Sequence, residues 1–280
     1  VANTAIPTVA AIRNAGASLK FIDIGKDFLI DVKKIEKSIT KKTKAIIPVH
    51  LYGQACNMEK IIKIGKKYKI KIIEDCAQAQ GALFKRKNVG TFGITGCFSF
   101  YPTKILGAYG DGGFVTTNDK KLYQKIRRLR FYGMEQIDNS KWWNKKYFAV
   151  ENGTNSRLSE IQAAILNIKI KYINTFIKKR REIAKMYDVG ITNPKIIKPS
   201  QNKNNLHVYH LYVVANDHRD SILKKMKKHN ISLGIQYPYP IHKMLAYKNS
   251  SFKNLKNTEK FPKKIFSLPI YPMIEKSKIK

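Results

Sequence analysis

Acidic residues are scarce in this sequence, which has 19 aspartates and glutamates against 54 lysines and arginines and a formal charge of +35. A field of that sign attracts polyanions and nucleotides whatever the fold. The basic residues are, however, spread over the whole chain, and no zinc-finger spacing or aromatic RNA-binding strand accompanies them. We therefore expect no specific binding of nucleic acid.

Cysteine is also rare. Cys56, Cys76 and Cys97 have no C-x-x-C spacing and no nearby histidine pair, so the sequence supports neither a disulfide framework nor a zinc site, and we expect reduced, buried thiols. A run of about 18 uncharged apolar residues is missing, and so is the basic-then-apolar start of a signal peptide. We predict a soluble, cytoplasmic protein with no membrane segment.

Two nucleotide-binding motifs are absent as well. The sequence has no G-x-x-x-x-G-K-[ST] phosphate loop. Its glycine-rich segment GAYGDGG, residues 107–113, leads into a predicted strand, whereas a dinucleotide fingerprint must open a helix. These glycines instead permit close backbone approach.

The hydrophobic pattern predicts an α/β protein. Short β-rich runs predict strands at residues 19–24, 45–49, 70–73, 97–101, 114–117 and 208–214. Helical spacing predicts helices at residues 58–68, 120–132, 158–187 (as one or two helices) and 220–228. The early strand, helix, strand order implies a right-handed parallel crossover. We place the domain boundary in the long helix, with residues 1–185 as a large domain and 186–280 as a small one.

Three side chains are candidates for chemistry. Asp75 ends an apolar strand, where ligands of open α/β sheets bind, although a helix cap or turn former is the alternative. Lys104 follows an aromatic strand and Pro102, which constrains the backbone, although a solvated surface lysine is the commoner outcome. His210, inside a predicted strand, is more typical of a core histidine than of a catalyst.

Four segments in chain order carry a family resemblance: KAIIPVHLYGQ, IIEDCAQAQGA, FSFYPTKILGAYGDGGFVTTND and NSRLSEIQAAIL. They closely resemble the nucleotide-sugar aminotransferases of the DegT/DnrJ/StrS type, which depend on pyridoxal phosphate. The resemblance implies an aspartate-aminotransferase-like α/β fold of type I, with a mostly parallel large-domain sheet and a smaller C-terminal α+β domain. The implied reaction moves an amino group from an amino acid, expected to be glutamate, to a keto-deoxysugar on a nucleoside diphosphate.

The resemblance also implies roles for residues. Lys104 matches the catalytic lysine that holds the cofactor as a Schiff base and moves the proton, and Asp75 matches the carboxylate that pairs with the pyridine nitrogen. Gln78 matches the residue beside the phenolic oxygen, and Ser99 matches a phosphate ligand. Asn155 matches a phosphate contact given to the neighbouring subunit, so a homodimer with shared active sites is expected.

The C-terminal candidates are less specific. Tyr237 and His242, in YPYPIH, match the family stretch near the sugar, and an exposed turn fits them equally. The family's glycine–threonine phosphate loop would precede Asn3, so we expect a truncated or partial sequence whose cofactor binding is weakened. A sugar dehydratase of the same fold would carry histidine in place of the lysine, so Lys104 speaks against it. The alternative that stays open is a truncated non-catalytic relative that binds polyanions.

Overall fold

The computed structural model describes residues 1–135, 147–248, 250–252 and 254–279. The strands of this part are β1 (Lys20–Phe21), β2 (Ala45–Ile46), β3 (Lys71–Asp75), β4 (Leu83–Phe84), β5 (Lys87–Asn88), β6 (Thr95–Ser99), β7 (Gly113–Thr116), β8 (Asn205–Leu206), β9 (Tyr212–Ala215), β10 (Ser251–Phe252) and β11 (Ile265–Leu268). Its helices are α1 (Ile6–Asn14), α2 (Val32–Ile35), α3 (Met58–Lys67), α4 (Lys120–Leu129), α5 (Glu160–Lys169), α6 (Ile173–Gly190), α7 (Arg219–Lys228) and α8 (Lys256–Lys260).

A mixed sheet in the order β2-β3-β6-β7 positions the candidate residues. Strands β2, β3 and β6 are parallel, and β7 turns back antiparallel to β6. Helix α3 crosses from β2 to β3, as the spacing predicted. The Asn57 side chain caps it by accepting a hydrogen bond from the Lys60 N–H at 3.2 Å. Its buried face, with Ile61 and Ile64, packs into the main core.

A second core lies around the C-terminal part of the chain. Strands β9 and β11 pair antiparallel, with Tyr212 opposite Leu268. Tyr212 and Phe266 pack there with Ile183 and Ala184 of α6. The predicted helix over 158–187 is two helices, α5 and α6, joined by a single 3₁₀ turn at Ile170–Tyr172.

The predicted strand at 208–214 begins later than expected. The Val208 N–H donates to the Gly53 carbonyl at 3.0 Å, and Tyr209 adopts φ +48°, which interrupts an extended backbone. The ladder of β9 therefore starts at Tyr212. The strand predicted at 19–24 is likewise reduced to β1, with an isolated bridge from Ile24 to Ile30.

Two further expectations concern the state of the cysteines and the presence of a membrane segment. Cys56 and Cys76 are buried and Cys97 is half-buried, and all three are free thiols. Within the described ranges, no helix is both long enough and apolar enough to cross a bilayer.

Candidate active site

The carboxyl ends of β3 and β6 bring the predicted side chains together. Asp75 is the last residue of β3 and Ser99 the last of β6, and the two strands are adjacent and parallel. Lys104 lies in the loop that follows β6. Ligands of such sheets bind beyond this edge, so the topology alone places a carboxylate, a hydroxyl and an amine where chemistry is expected.

Lys104 is half-buried, and its backbone N–H donates to the Tyr101 carbonyl at 2.9 Å. Among the described residues, its amine has no hydrogen-bond or ion-pair partner. Burial lowers the pKa of Lys104, and the nearby charge of Asp75 opposes that shift. A desolvated amine with a lowered pKa is a better nucleophile than a surface lysine, so the environment distinguishes Lys104 from the many solvated lysines.

Asp75 is held by two groups. Its Oδ1 accepts the Ala77 N–H at 3.0 Å, and its Oδ2 accepts the hydroxyl of Thr8, a residue of α1. Thr8 was missed by the sequence analysis, because it lies 67 positions from Asp75. The two bonds fix the carboxylate with its oxygens at the edge of the sheet.

Gln78 connects the site to the C-terminal part of the chain. Its Oε1 accepts the Tyr52 N–H at 2.7 Å, which orients the amide so that Nε2 donates to the Tyr237 hydroxyl at 2.8 Å. Burial raises the pKa of Tyr237, the bond from Gln78 partly offsets this, and the charge of Asp75 adds to it. The phenol is therefore neutral, and Tyr237 stays a prediction as a substrate contact.

The remaining predicted residues differ in their surroundings. Ser99 is half-buried, and its Oγ accepts the Tyr101 N–H at 3.2 Å. Asn155 is exposed, and its Oδ1 accepts the Arg157 Nε–H at 3.4 Å. The structure thus does not join Asn155 to the Asp75 edge of its own chain.

His242 is buried, and it contacts residues outside the Lys104 loop. Its Nε2 lies 2.9 Å from Glu259 Oε1, and its ring packs against Phe21 and Phe252 at centroid distances of 6.3 and 4.7 Å. Its Nδ1 has no hydrogen-bond partner in the part of the chain that the structure describes. His242 stays a prediction as a substrate contact.

His210 is buried but not satisfied. Its Nδ1 has no hydrogen-bond partner among the residues described. Burial lowers the pKa of His210 to about 3, and the positive charges of Lys104 and Arg180 add to the shift. His210 is therefore a neutral imidazole that lies close enough to Lys104 for the lysine charge to lower its pKa, and one of its nitrogens has no partner in the described ranges.

A buried hub of hydrogen bonds around Glu74, next to Asp75, was also not predicted from the sequence. The Glu74 carboxylate accepts the Gly90 N–H at 2.8 Å and the Phe92 and Gly93 N–H groups at 2.7 Å each. Its Oε2 lies 3.1 Å from His50 Nε2. Burial alone would raise the pKa of Glu74, but the bonds from His50 and the backbone hold it below the usual value. The alternation of β3 carried the signal, since Glu74 shares the buried face of Ile72.

The hub does not suit a metal. His50, Glu74 and Cys76 place one ligand atom each within 4.8 Å of one another. However, His50 Nδ1 accepts the Cys56 N–H at 3.0 Å, so the ring proton is on Nε2 and points at Glu74. Burial raises the pKa of the Cys76 thiol far above its usual value, which disfavours the thiolate that a metal needs. We interpret the cluster as structural.

The site's polar groups fit pyridoxal phosphate. Lys104 offers a desolvated amine, Asp75 an anchored carboxylate and Ser99 a hydroxyl on one edge of the sheet. The Nδ1 of buried His210, which has no partner within the described part of the chain, is a further polar atom for a bound group. An amine for the aldehyde, a carboxylate for the ring nitrogen and a hydroxyl for the phosphate are the donor types that this cofactor requires.

Comparisons with known proteins give one consistent result. The family model described as the DegT/DnrJ/EryC1/StrS aminotransferase family matches residues 1–280. The dTDP-3-amino-3,4,6-trideoxy-alpha-D-glucose transaminase of Micromonospora megalomicea subsp. nigra is 41% identical over 98% of this chain and 73% of its own length. The dTDP-3-amino-3,6-dideoxy-alpha-D-galactopyranose transaminase of Aneurinibacillus thermoaerophilus is 42% identical over 99% of this chain and 74% of its own length.

A solved structure agrees with these matches. The structure of DesV from S. venezuelae, in complex with a ketimine intermediate, superposes with a TM-score of 0.93 at 34% identity, covering 99% of this chain and 74% of that one. The predicted α/β fold of type I, the enzyme class and the cofactor pyridoxal phosphate are thereby confirmed. The chain belongs to the DegT/DnrJ/EryC1/StrS aminotransferase family.

Proposed function

We propose that the chain transfers an amino group from an amino acid, glutamate in our expectation, to a keto-deoxysugar linked to a nucleoside diphosphate. The observation that carries the proposal is the Lys104 amine, desolvated and unpaired among the described residues, near the anchored carboxylate of Asp75. Relatives whose names specify dTDP-linked and UDP-linked amino sugars support the substrate class.

Each residue at the sheet edge has a distinct task in this proposal. Pyridoxal phosphate, when bound, supplies an electron sink for charge at the substrate carbon. Lys104 would hold the cofactor covalently, and once an amine substrate has displaced it, its freed neutral Nζ would accept the proton of that carbon and return it. Asp75, kept in place by Thr8 and Ala77, pairs with the ring nitrogen. Ser99 binds the phosphate.

In this proposal Gln78 lies beside the phenolic oxygen of the cofactor, and Tyr237 lies on the substrate side. The Gln78 amide is oriented by the Tyr52 N–H, and its Nε2 donates to Tyr237, so the phenolic hydrogen of Tyr237 is available to an acceptor on the sugar. The main-chain carbonyl of Gln236 accepts the Tyr52 hydroxyl, which holds the segment before Tyr237 in place. In the same proposal His242 contacts the sugar through Nδ1, which has no hydrogen-bond partner among the residues that the structure describes.

We also propose a homodimer in which Asn155 reaches the phosphate of the partner's site. Asn155 is exposed on its own chain, and residues 101–172, which include it, expose large apolar side chains, which monomers rarely leave to solvent in number. These residues are Tyr101, Tyr109, Phe114, Val115, Tyr132, Phe148, Val150, Ile161, Ile168, Ile170 and Tyr172.

Two coarser features belong to the same proposal. The division into a large domain of residues 1–185 and a small one of 186–280 fits the second core around β9 and β11. A cytoplasmic location fits the three free thiols, which a reducing compartment preserves.

Absorption spectroscopy tests the proposal directly. The wild-type protein with pyridoxal phosphate should show the band of a lysine-bound cofactor, and Lys104→Ala should lose it. Lys42→Ala, which removes an exposed lysine, is the matched control and should keep the band. A band that persists in Lys104→Ala shows that another lysine carries the cofactor, and the proposal is then wrong.

The polyanion-binding alternative stays a separate prediction. Its support is the charge of +35. Nucleic-acid retention measured against salt concentration tests it, because charge-driven binding weakens steeply as salt rises. No retention at physiological salt contradicts that alternative.

A further inference from the structure

We propose that Gln162 and Lys169 of helix α5 are positioning residues that hold the loop carrying Lys104 at a fixed depth in the site. The inference rests on the proposed function, in which Lys104 binds the cofactor. It concerns residues that do not themselves touch the reacting atoms.

The Lys104 loop is closed on itself. The Phe100 N–H donates to the Gly112 carbonyl at 2.8 Å, and the Ala108 N–H donates to the Phe100 carbonyl at 2.7 Å. Gly107 lies so close to the Pro102 carbonyl oxygen that a Cβ there would collide with it. Because its two ends and its middle are tied together, the loop must move as a unit, and a shift at Gly107 is passed on to Lys104.

Helix α5 grips this loop at three points. Gln162 Oε1 accepts the Tyr109 N–H at 2.7 Å, and the Lys169 ammonium donates to the Gly107 carbonyl. Between them, Leu166 is buried in a cluster that includes Leu106 and Ala108 of the loop. Gln162, Leu166 and Lys169 are spaced by four and three residues, so one face of the helix makes all three contacts.

Lys169 is placed for this contact rather than for an ion pair. Burial lowers the pKa of its ammonium, and it has no acidic partner in the described part of the chain. A lysine that loses solvent without gaining a carboxylate gives up free energy, which the bond to the Gly107 carbonyl partly restores. Its ammonium also lies 5.4 Å from the centroid of the Tyr109 ring.

The backbone groups that α5 holds lie three and five residues after Lys104. The Tyr109 N–H and the Gly107 carbonyl belong to the stretch that follows Lys104, and α5 supplies the bond to each. Removing either side chain leaves a backbone polar group without its protein partner and lets the loop relax outward. Such a displacement of about 1 Å at the reacting group costs roughly 100-fold in rate.

The test uses paired variants. Gln162→Leu keeps the shape but removes the acceptor, and Gln162→Glu keeps an acceptor oxygen. Lys169→Met removes the donor, and Lys169→Arg keeps one. Lys171→Met is the matched control, since Lys171 is exposed and lies just beyond α5.

The first readout is the rate at which Lys104 of the apoprotein is trapped by pyridoxal phosphate and borohydride, followed by peptide mapping. The second is the pH at which the lysine-bound absorption band changes. We expect trapping to slow roughly 10- to 100-fold in Gln162→Leu and Lys169→Met, with a shifted spectral midpoint. Gln162→Glu, Lys169→Arg and Lys171→Met should stay close to wild type. Neither readout requires sugar turnover.

The outcomes separate this inference from the function on which it rests. If wild-type Lys104 is not trapped at all, the proposed function fails. If it is trapped equally fast in Gln162→Leu and Lys169→Met, the function stands and the positioning role is wrong. Equal slowing in Lys171→Met also contradicts it. If one of the two variants unfolds, the trapping rate of the variant at the other position still tests the positioning role. Hydrogen exchange in Gln162→Glu adds a second test, because the Tyr109 amide should remain protected there.

Discussion

The Glu74→Gln substitution is the sharpest test of the buried hub beside Asp75. Glu74 accepts three backbone N–H groups and lies 3.1 Å from the His50 Nε2. A glutamine keeps one acceptor oxygen and places an N–H₂ group where the other oxygen was. The N–H₂ group then faces hydrogen-bond donors at either oxygen position. His50 remains a donor through Nε2, because its Nδ1 accepts the Cys56 N–H and therefore carries no proton.

The magnitude follows from the bonds lost. With its N–H₂ group at the Oε1 position the glutamine gives up the Phe92 and Gly93 N–H groups, and at the Oε2 position it gives up the Gly90 N–H and the His50 Nε2–H, so two bonds are lost in either orientation. Each hydrogen bond to a charged group contributes about 1.5–3 kcal/mol, so the loss of two should lower the free energy of unfolding by about 3–6 kcal/mol. That loss matches the usual cost of breaking a buried pair, about 3–5 kcal/mol. It is a large fraction of the roughly 5–15 kcal/mol that stabilises a typical protein.

Urea denaturation at neutral pH measures the effect. The transition midpoint of Glu74→Gln should fall while the slope stays near that of the wild type. Glu59→Gln is the control, because Glu59 pairs with Lys85 at the surface and its loss should change little. A Glu74→Gln midpoint that matches that of Glu59→Gln would refute the hub.

The pH dependence of the stability difference tests the role of ionised Glu74 independently. The folded pKa of Glu74 lies below the ordinary value of 4.5, so its stabilisation is present above about pH 4.5 and is lost as the pH falls through the folded pKa. The difference in unfolding free energy between wild type and Glu74→Gln should therefore shrink in acid. A difference that stays constant down to low pH would contradict the assignment.

Three further outcomes follow from the site. Thr8→Val removes the hydroxyl bound to Asp75 and should weaken cofactor affinity roughly tenfold in equilibrium dialysis, with Thr8→Ser close to wild type. Tyr237→Phe removes the hydroxyl that Gln78 holds, so steady-state kinetics should show a higher KM for the nucleotide sugar and unchanged cofactor affinity. The pKa of His210 is about 3 in the folded chain and 6.5 in the unfolded chain, so the free energy of unfolding should decrease as the pH is lowered from 6.5 to 3, by up to about 1.4 kcal/mol per pH unit. His210→Asn should flatten that slope.

Local features were predictable where a local pattern specifies them. Helix α3 was placed to within a residue, because its apolar spacing and the Asn57 cap both lie within the segment. The position of Asp75 at the end of β3 followed from an apolar run that ends in a carboxylate. By contrast, the start of β9 depends on Val208 bonding to Gly53, a contact that no local pattern encodes.

The same limit applies to the site. The sequence named Asp75 and Lys104, but not Thr8 or the grip of α5 on the Lys104 loop, since these contacts join residues 67 and more than 50 positions apart. Glu74 could have been found, because it alternates with Ile72 on the buried face of β3 and a buried carboxylate requires partners. Which partners it has, the Gly90 to Gly93 turn and His50, depends on the tertiary fold.

The central claim is that Lys104, in a chain with 54 lysines and arginines, is the one that bonds to pyridoxal phosphate. Borohydride reduction of the cofactor-loaded protein, followed by proteolysis and mass spectrometry, locates the modified lysine. The prediction is a single stoichiometric modification on the peptide containing SFYPTK, at Lys104. Modification spread over surface lysines, or concentrated at a different lysine, would contradict it.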